Sequence, residues 1–585
     1  MRYHQPVFLF LILFFCLAAK ETAGQTPVNP DRKNPTRLVE ILPGARKLEY
    51  RRLDSITELQ ILVGNVRLKQ GNTLFSCDSC VINKSLNLFE AFGNVHIEED
   101  TTDVYANYLR YLTDQRIAFL TGGVKLTDGH GTLTTNKLVY DVNTGIGIYR
   151  EGGKVVNKKT VLTSTEGYYY SDMKDVYFKN NVILNDPSYH LTTDSLLYNT
   201  EFETARFISP TLIRDSSNRT IITSDGYYNL QTGKAEFGRN PVINDGAVRI
   251  TALRIAVDDS TGISQAEGNA SIVDTAQGTT ILAGIIFRNN KTESVLATRK
   301  PLMIIRQEND SIYVSADTLF SARLTDLYVA PVTMPDTSLE ITETDSLTAV
   351  ALKDSLKGDA KADALNVIAK TDSIQGVTVI DTLTGVTTVN LQPKITDSTN
   401  RYFEAFRNVR IFSDSLQAAS DSLFYSFADS TFRLYQQPVI WANKSQITGD
   451  TIYLFTKNKK ADRLQVFENS LIVNEVQPEV YNQVGATRLD GFFLDGAIDS
   501  VRARGFAKSI YYLQDEDSAF SGINEANSDI MDVYFKDSEL FKVVFRSAVS
   551  GTLWPIRQKD PGEMRLTNFQ WLEAQRPKTK YELFE

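Results

Sequence analysis

The sequence predicts an all-β protein, an elongated antiparallel jelly roll of two facing sheets built from about a dozen ~30-residue repeats. Three observations lead there. The stretch "LFEAFGNVHIEED" places Phe89, Ala91, Val95 and Ile97 on one parity, as a half-buried strand requires. Gly93-Asn94 interrupts it at the centre, where glycine marks a bulge, bend or close approach. That break then recurs in "VGNVRL" (63–68), "TGGVKL" (121–126), "KNNVIL" (179–184), "RNPVIN" (239–244), "EGNASI" (267–272), "FRNVRI" (406–411) and "YQQPVI" (435–440), at spacings of about 29 residues or multiples of it.

Taken in order, the chain opens with Arg2, the apolar run "VFLFLILFFCLAA" and small residues before Gln25. This reads as a signal peptide over 1–24. Its apolar run is too short to span a bilayer comfortably. A leader follows at 25–47, then repeats over 48–330. Residues 331–400 are rich in Asp, Thr, Ser and Ala and lack the repeat phrase, which reads as a flexible insertion. Repeats resume over 401–553, and a tail of Pro and charge occupies 554–585, with a short helix expected near its end.

A second phrase alternates with the first: apolar, two residues, Asp or Asn, one residue, apolar, and often Tyr two further on. Examples are "LTTDSLLY" (191–198), "VYANYLRY" (104–111) and "AASDSLFY" (418–425). Its central residues are Asp78, Asn107, Asn136, Asp194, Asp225, Asp317, Asp421 and Asp450, with Asp490 and Asp529 as looser members. The flanking apolar residues, such as Leu191 and Leu196, are five apart and fall on opposite faces of a straight strand. Both are buried only if the chain turns a corner between them. Asp and Asn suit a corner because they tolerate unusual backbone angles and bond neighbouring backbone. Gly93-Asn94 is the matching corner on the return strand. Each repeat is thus two long strands, each bent once, running through both sheets.

Chemistry is sparse. One carboxylate per repeat does not converge on a substrate, so no catalytic residues and no enzyme activity are expected. "FSCDSC" offers Cys77 and Cys80, but the histidines are scattered, and Cys80 falls on a core position, so neither metal nor cofactor is expected. Net charge is −9, or −10 once Arg2, Lys20 and Glu21 leave with residues 1–24, and no basic run exists; nucleic acid is not an expected partner. Inward positions Phe89, Ala91, Val95, Ile97, Leu120, Val124, Leu126, Phe178, Val182 and Leu184 form a continuous apolar lining. Two strands per sheet per repeat at about 4.8 Å add roughly 10 Å of length, on the order of 120 Å for a dozen uninterrupted repeats.

The repeated phrases, seen here as "FGNVHI", "FRNVRI", "VSADTLF" and "AASDSLFY", resemble the OstA-like family of lipopolysaccharide-transport proteins across nearly all of 48–553 outside the insertion. The chain departs from the compact bridge protein of that family in its length and its insertion. The resemblance implies a jelly roll open along one side as a V-shaped trough, with the ten lining residues above holding acyl chains. It also implies a periplasmic place, with outer-membrane association as a second option and membrane contact made through partners. The implied partners are lipopolysaccharide or a related glycolipid, and other jelly-roll proteins joined by edge-strand addition. An exported architectural or adhesive repeat protein with a closed dry core is the alternative.

Overall fold

The computed structural model describes residues 39–54, 57–306, 311–327, 400–442, 444–457, 460–494, 497–515, 519–536 and 539–583. The expected signal peptide, most of the leader and the insertion up to residue 399 lie outside them. The described chain is all-β, with every strand pairing antiparallel to its neighbours. A single helical turn, Leu324–Leu327, and four 3-10 turns after residue 555 complete it. It divides into two units, 1–203 and 204–585. That division falls inside the stretch 48–330 that the sequence presents as one run of repeats.

In the first unit, strands such as Glu58–Gln70, Thr73–Asn83, Leu88–Glu99, Thr102–Leu112, Ile117–Thr127 and Thr132–Asp141 form a meander. Hairpin turns need only two to four residues, because successive strands are neighbours. Each ladder breaks register at its middle: Val63 faces Ser79, but Val66 faces Cys77, so Gly64 and Asn65 oppose the single residue Asp78. The same two-against-one count recurs at Phe92/Val95, Thr121/Val124 and Lys179/Val182. In the second unit it recurs at Glu267/Ala270, Phe406/Val409 and Phe467/Ser470. These are β-bulges, which bend a strand and deepen its twist.

The bend lies in the pair and not in the Asp or Asn opposite it. Gly64 and Asn65 have φ of 81° and 50°, Gly93 and Asn94 of 73° and 42°, and Arg407 and Asn408 of 60° and 52°. Twelve such consecutive left-handed pairs occur among the described residues. The tolerance of Asp and Asn for unusual backbone angles predicts such angles in the Asp/Asn column. Yet Asp78, Asn107, Asn136, Asp194, Asp225, Asp317, Asp421 and Asp450 all keep ordinary negative φ. Their role is to receive the opposing pair. Asn94 Nδ2 donates to Asp78 Oδ2 at 2.9 Å, and Asn408 and Asn469 do the same to Asp317 and Asp450 at 3.1–3.2 Å. Ser547 Oγ donates to Asp529 at 2.6 Å. Asp490 is a correction: it sits three residues past the bulge, which falls at Gly485/Arg488, and accepts instead from Arg488 at 2.9 Å.

Eight of the twelve pairs are neither Gly-Asn nor Asn-Asn, and four of these lie outside the phrases found in the sequence: Arg299-Lys300, Glu468-Asn469, Gly505-Phe506 and Ser547-Ala548. The strained backbone there is fixed by the ladders on either side rather than by the residue type.

Candidate functional site

Face-switching at each bend sends both halves of a strand inward. Phe75 and Cys77 are buried before Asp78, Cys80 and Ile82 after it; Leu191 precedes Asp194, Leu196 and Tyr198 follow. The first wall of the first unit carries an unbroken apolar row, Leu68–Phe75–Ile97–Val104–Leu126–Leu133–Val155–Leu162–Leu184–Leu191, each directly opposite the next. None is more than 3% exposed. The second wall answers with Phe89, Tyr111, Ala118, Tyr140, Tyr169 and Tyr198, the four tyrosines spaced 29 residues apart. The walls touch: the Phe75 ring lies 5.2 Å from Phe89 and 4.7 Å from Tyr111, centroid to centroid.

All ten expected lining residues face this interior. Phe89, Ala91, Val95, Ile97, Leu120, Val124, Leu126, Phe178, Val182 and Leu184 are 0–2% exposed. The side chains of the first unit therefore fill its interior themselves. Burial also pushes the tyrosine phenols up, Tyr149 to about 12 against a bond from Ser164 that opposes the rise. Cys77 and Cys80 lie in the same interior as free thiols. Their mutual hydrogen bond draws the Cys77 thiol down and, with burial, drives Cys80 up. Among the described residues no three His, Cys, Asp or Glu side chains converge as a metal site. No described helix is long and apolar enough to cross a membrane.

Away from the bends, polar side chains join the walls. Gln70 Nε2 donates to Thr113 O at 3.0 Å, Arg116 to Thr73 Oγ1 at 2.8 Å, and Asn157 Nδ2 to Thr200 O at 2.6 Å. Each pair is 43 residues apart, one and a half repeats, so the same seal recurs as the stack grows. Arg116 also pairs with Glu99 at 3.4 Å, both side chains nearly buried. The second unit repeats the device with Arg288 and Asp245 at 2.8 Å, again 43 apart. Beside that pair the second unit contains a cavity of about 350 Å³. Val248, Ile272, Ile281, Val295 and Met303 give it apolar sides, and Arg288, Arg401, Asp245, Asp274 and Glu293 supply its charge. Burial lowers the pKa of Arg401; Glu293 and Asp274 oppose the shift, and the nearby Arg288 and Arg323 add to it. Arg401 holds Glu293 by a 2.6 Å bond to its carbonyl and a 3.6 Å ion pair. Sequence reasoning did not find this cluster, whose members come from distant repeats and follow no motif.

A stack of bent strands closing on an apolar interior defines a jelly-roll repeat protein. Residues 39–194 and 179–252 match the model of the family described as OstA-like protein, so this stretch of the chain is similar to that family. No curated protein matches the chain.

Proposed function

We propose that this protein acts in the periplasm as a lipopolysaccharide-binding transport component, sheltering acyl chains between its two walls and bridging toward the outer membrane. The observation that carries the reading is the unbroken apolar row along both walls of an OstA-like repeat stack. Each acyl methylene removed from water there contributes about 0.8 kcal/mol, so tails bind without a polar code. The net charge of −9 gives phosphates no general attraction, which leaves the tails as the source of affinity. The first-unit interior is already filled, so acyl chains enter by parting the walls. The Arg288–Arg401 cavity of the second unit offers space that needs no such opening. At the N-terminal end, strands Glu40–Leu42 and Lys47–Arg52 pair only with Glu58–Gln70 among the described residues, which leaves an edge for strand addition by another jelly roll.

One observation favours a second reading. Lining residues at 0–2% exposure are what an architectural repeat protein with a dry core also requires. Photo-crosslinking amino acids at Val124 and Val182 in living cells separate the two. The transport reading expects lipopolysaccharide adducts at both positions and none at outward Lys125. Absence of adducts at both interior positions gives the protein to the architectural reading.

A further inference from the structure

The outer face of the first wall changes character along the chain. In the first unit the row Arg67–Ser76–His96–Tyr105–Lys125–Thr134–Lys154 lies opposite-by-opposite on the solvent side, exposed or half-buried. The outward row two residues farther from the bends, Lys69–Leu74–Glu98–Asp103 in the first unit, is likewise exposed or half-buried there. In the C-terminal repeats of the second unit that farther row is Gln417–Trp441–Gln446–Val473–Gln483–Ile510, every member buried. The alternate row, which includes Ile447, Ile472 and Val484, is buried as well, so this wall is covered on both faces.

The cover is the chain's own C-terminal segment, 556–583. Met564 packs into the cluster of Val480, Ile510, Tyr512 and Ile523; Leu566, Phe569 and Trp571 pack on Leu471, Val473 and Tyr481. No strand ladder holds it. Side-chain hydrogen bonds do: Arg565 donates to Glu479 O, Asn568 to Asn469 O and Arg576 to Gln417 Oε1, and two glutamines of the wall act in a shared way. Gln483 Nε2 donates to Met564 O at 2.9 Å while its Oε1 accepts from Leu566 N at 2.8 Å. Gln446 Nε2 donates to Gln570 O at 2.7 Å while its Oε1 accepts from Leu572 N at 2.6 Å. Each amide grips a carbonyl and the N–H two residues later, so each glutamine reads the segment through its backbone. The two grips are six residues apart.

The fit is incomplete. A cavity of about 330 Å³ remains where Leu566, Thr567 and Asn568 cross Gly485, Phe506 and Lys508. Phe506 beside it is 84% exposed. Trp441, fully buried in the gripped row, leaves its indole N–H without a partner among the described residues.

We propose that this outer face is a peptide-binding groove. The C-terminal segment fills it until an extended segment of a partner protein, with apolar or aromatic side chains spaced as Met564, Leu566, Phe569 and Trp571 are, takes its place. The groove reads backbone through Gln446 and Gln483 and side chains through Tyr481 and its apolar neighbours, and it is independent of any ligand in the interior.

Amide hydrogen exchange on the full-length protein tests the first half. Residues 564–572 are expected to exchange at least ~10-fold faster than strand Ala497–Gln514 beneath them, and equal protection overturns the proposal. A labelled peptide of sequence 556–583 tests the second half. It is expected to bind full-length protein carrying Phe569→Ser and Trp571→Ser at least ~10-fold more tightly than the unsubstituted protein, whose tethered segment competes at high effective concentration. Adding Gln446→Leu and Gln483→Leu is expected to remove that binding. Equal affinity for both proteins, or binding indifferent to the two glutamines, overturns the proposal. Should the substituted chain fail to fold, the exchange measurement on the unsubstituted protein decides.

Discussion

Gly93 and Arg407 occupy equivalent bends with φ of 73° and 60°, one at no steric cost and one against it. A Cβ on Gly93 would lie 2.4 Å from Asp78 Oδ2, so the left-handed backbone and the close approach both demand glycine. Gly93→Val is therefore expected to destabilise the protein by about 2–4 kcal/mol in denaturant titration. Arg407→Gly at the matching site is expected to stabilise by up to about 1 kcal/mol, strain relief being partly offset by the greater freedom of glycine in the unfolded chain. Asp532 illustrates charge at the same scale. Arg502 grips it at 2.6 and 3.2 Å and Arg546 at 2.8 Å, and they hold its carboxyl below the usual carboxylate range. A depressed native pKa contributes stability that is complete above the unfolded value near ~3.9 and lost as pH falls through the native value. The Asp532→Asn protein should accordingly melt lower than the parent at neutral pH. The gap should close on acidification through the region below ~3.9; a gap that persists there excludes the ion pair as its source.

A strand such as Ile117–Thr127 combines a buried face with a solvated one, and the two respond differently to truncation. Leu126 is 0% exposed in the interior row, while Lys125 stands outward. Leu126→Ala is expected to cost about 2–5 kcal/mol through lost burial and residual cavity, whereas Lys125→Ala should stay within about 0.5 kcal/mol of the parent. Comparable losses from both would mean that the wall is buried on both sides there. Alternation made such strands readable, since Phe89, Ala91, Val95 and Ile97 announce their face by parity. It also hid the second wall covering. At Val439–Ala442 and Ser445–Thr448 nearly every residue is buried, the mark of an element covered on both faces. Short apolar runs of that kind do not reveal what covers them. The tail, expected to end in a short helix, does end in a short 3-10 helix at Lys580–Leu583. It also forms a cover with three further 3-10 turns, held by side-chain amides over 80 residues distant in sequence.

In a stack where each repeat touches chiefly its neighbours, damage stays local. Leu126→Ala should speed amide exchange in the flanking strands Thr102–Leu112 and Thr132–Asp141, and leave Ala497–Gln514 at its parent rate. Uniform acceleration along the chain would mean one cooperative unit in place of two. The 29-residue period, the bend sites marked by Gly-Asn and the inward residues were determined by the sequence itself, because a bent strand must bury both halves and Gly and Asn take the left-handed bend at least cost. Three features belong to tertiary structure alone: the wall-to-wall seals 43 residues apart, the Arg288–Arg401 cavity, and the grip of Gln446 and Gln483 on the C-terminal segment. Each joins residues whose separation along the chain carries no local pattern, and a polar side chain acquires its partner only when packing has brought a second surface within hydrogen-bond reach.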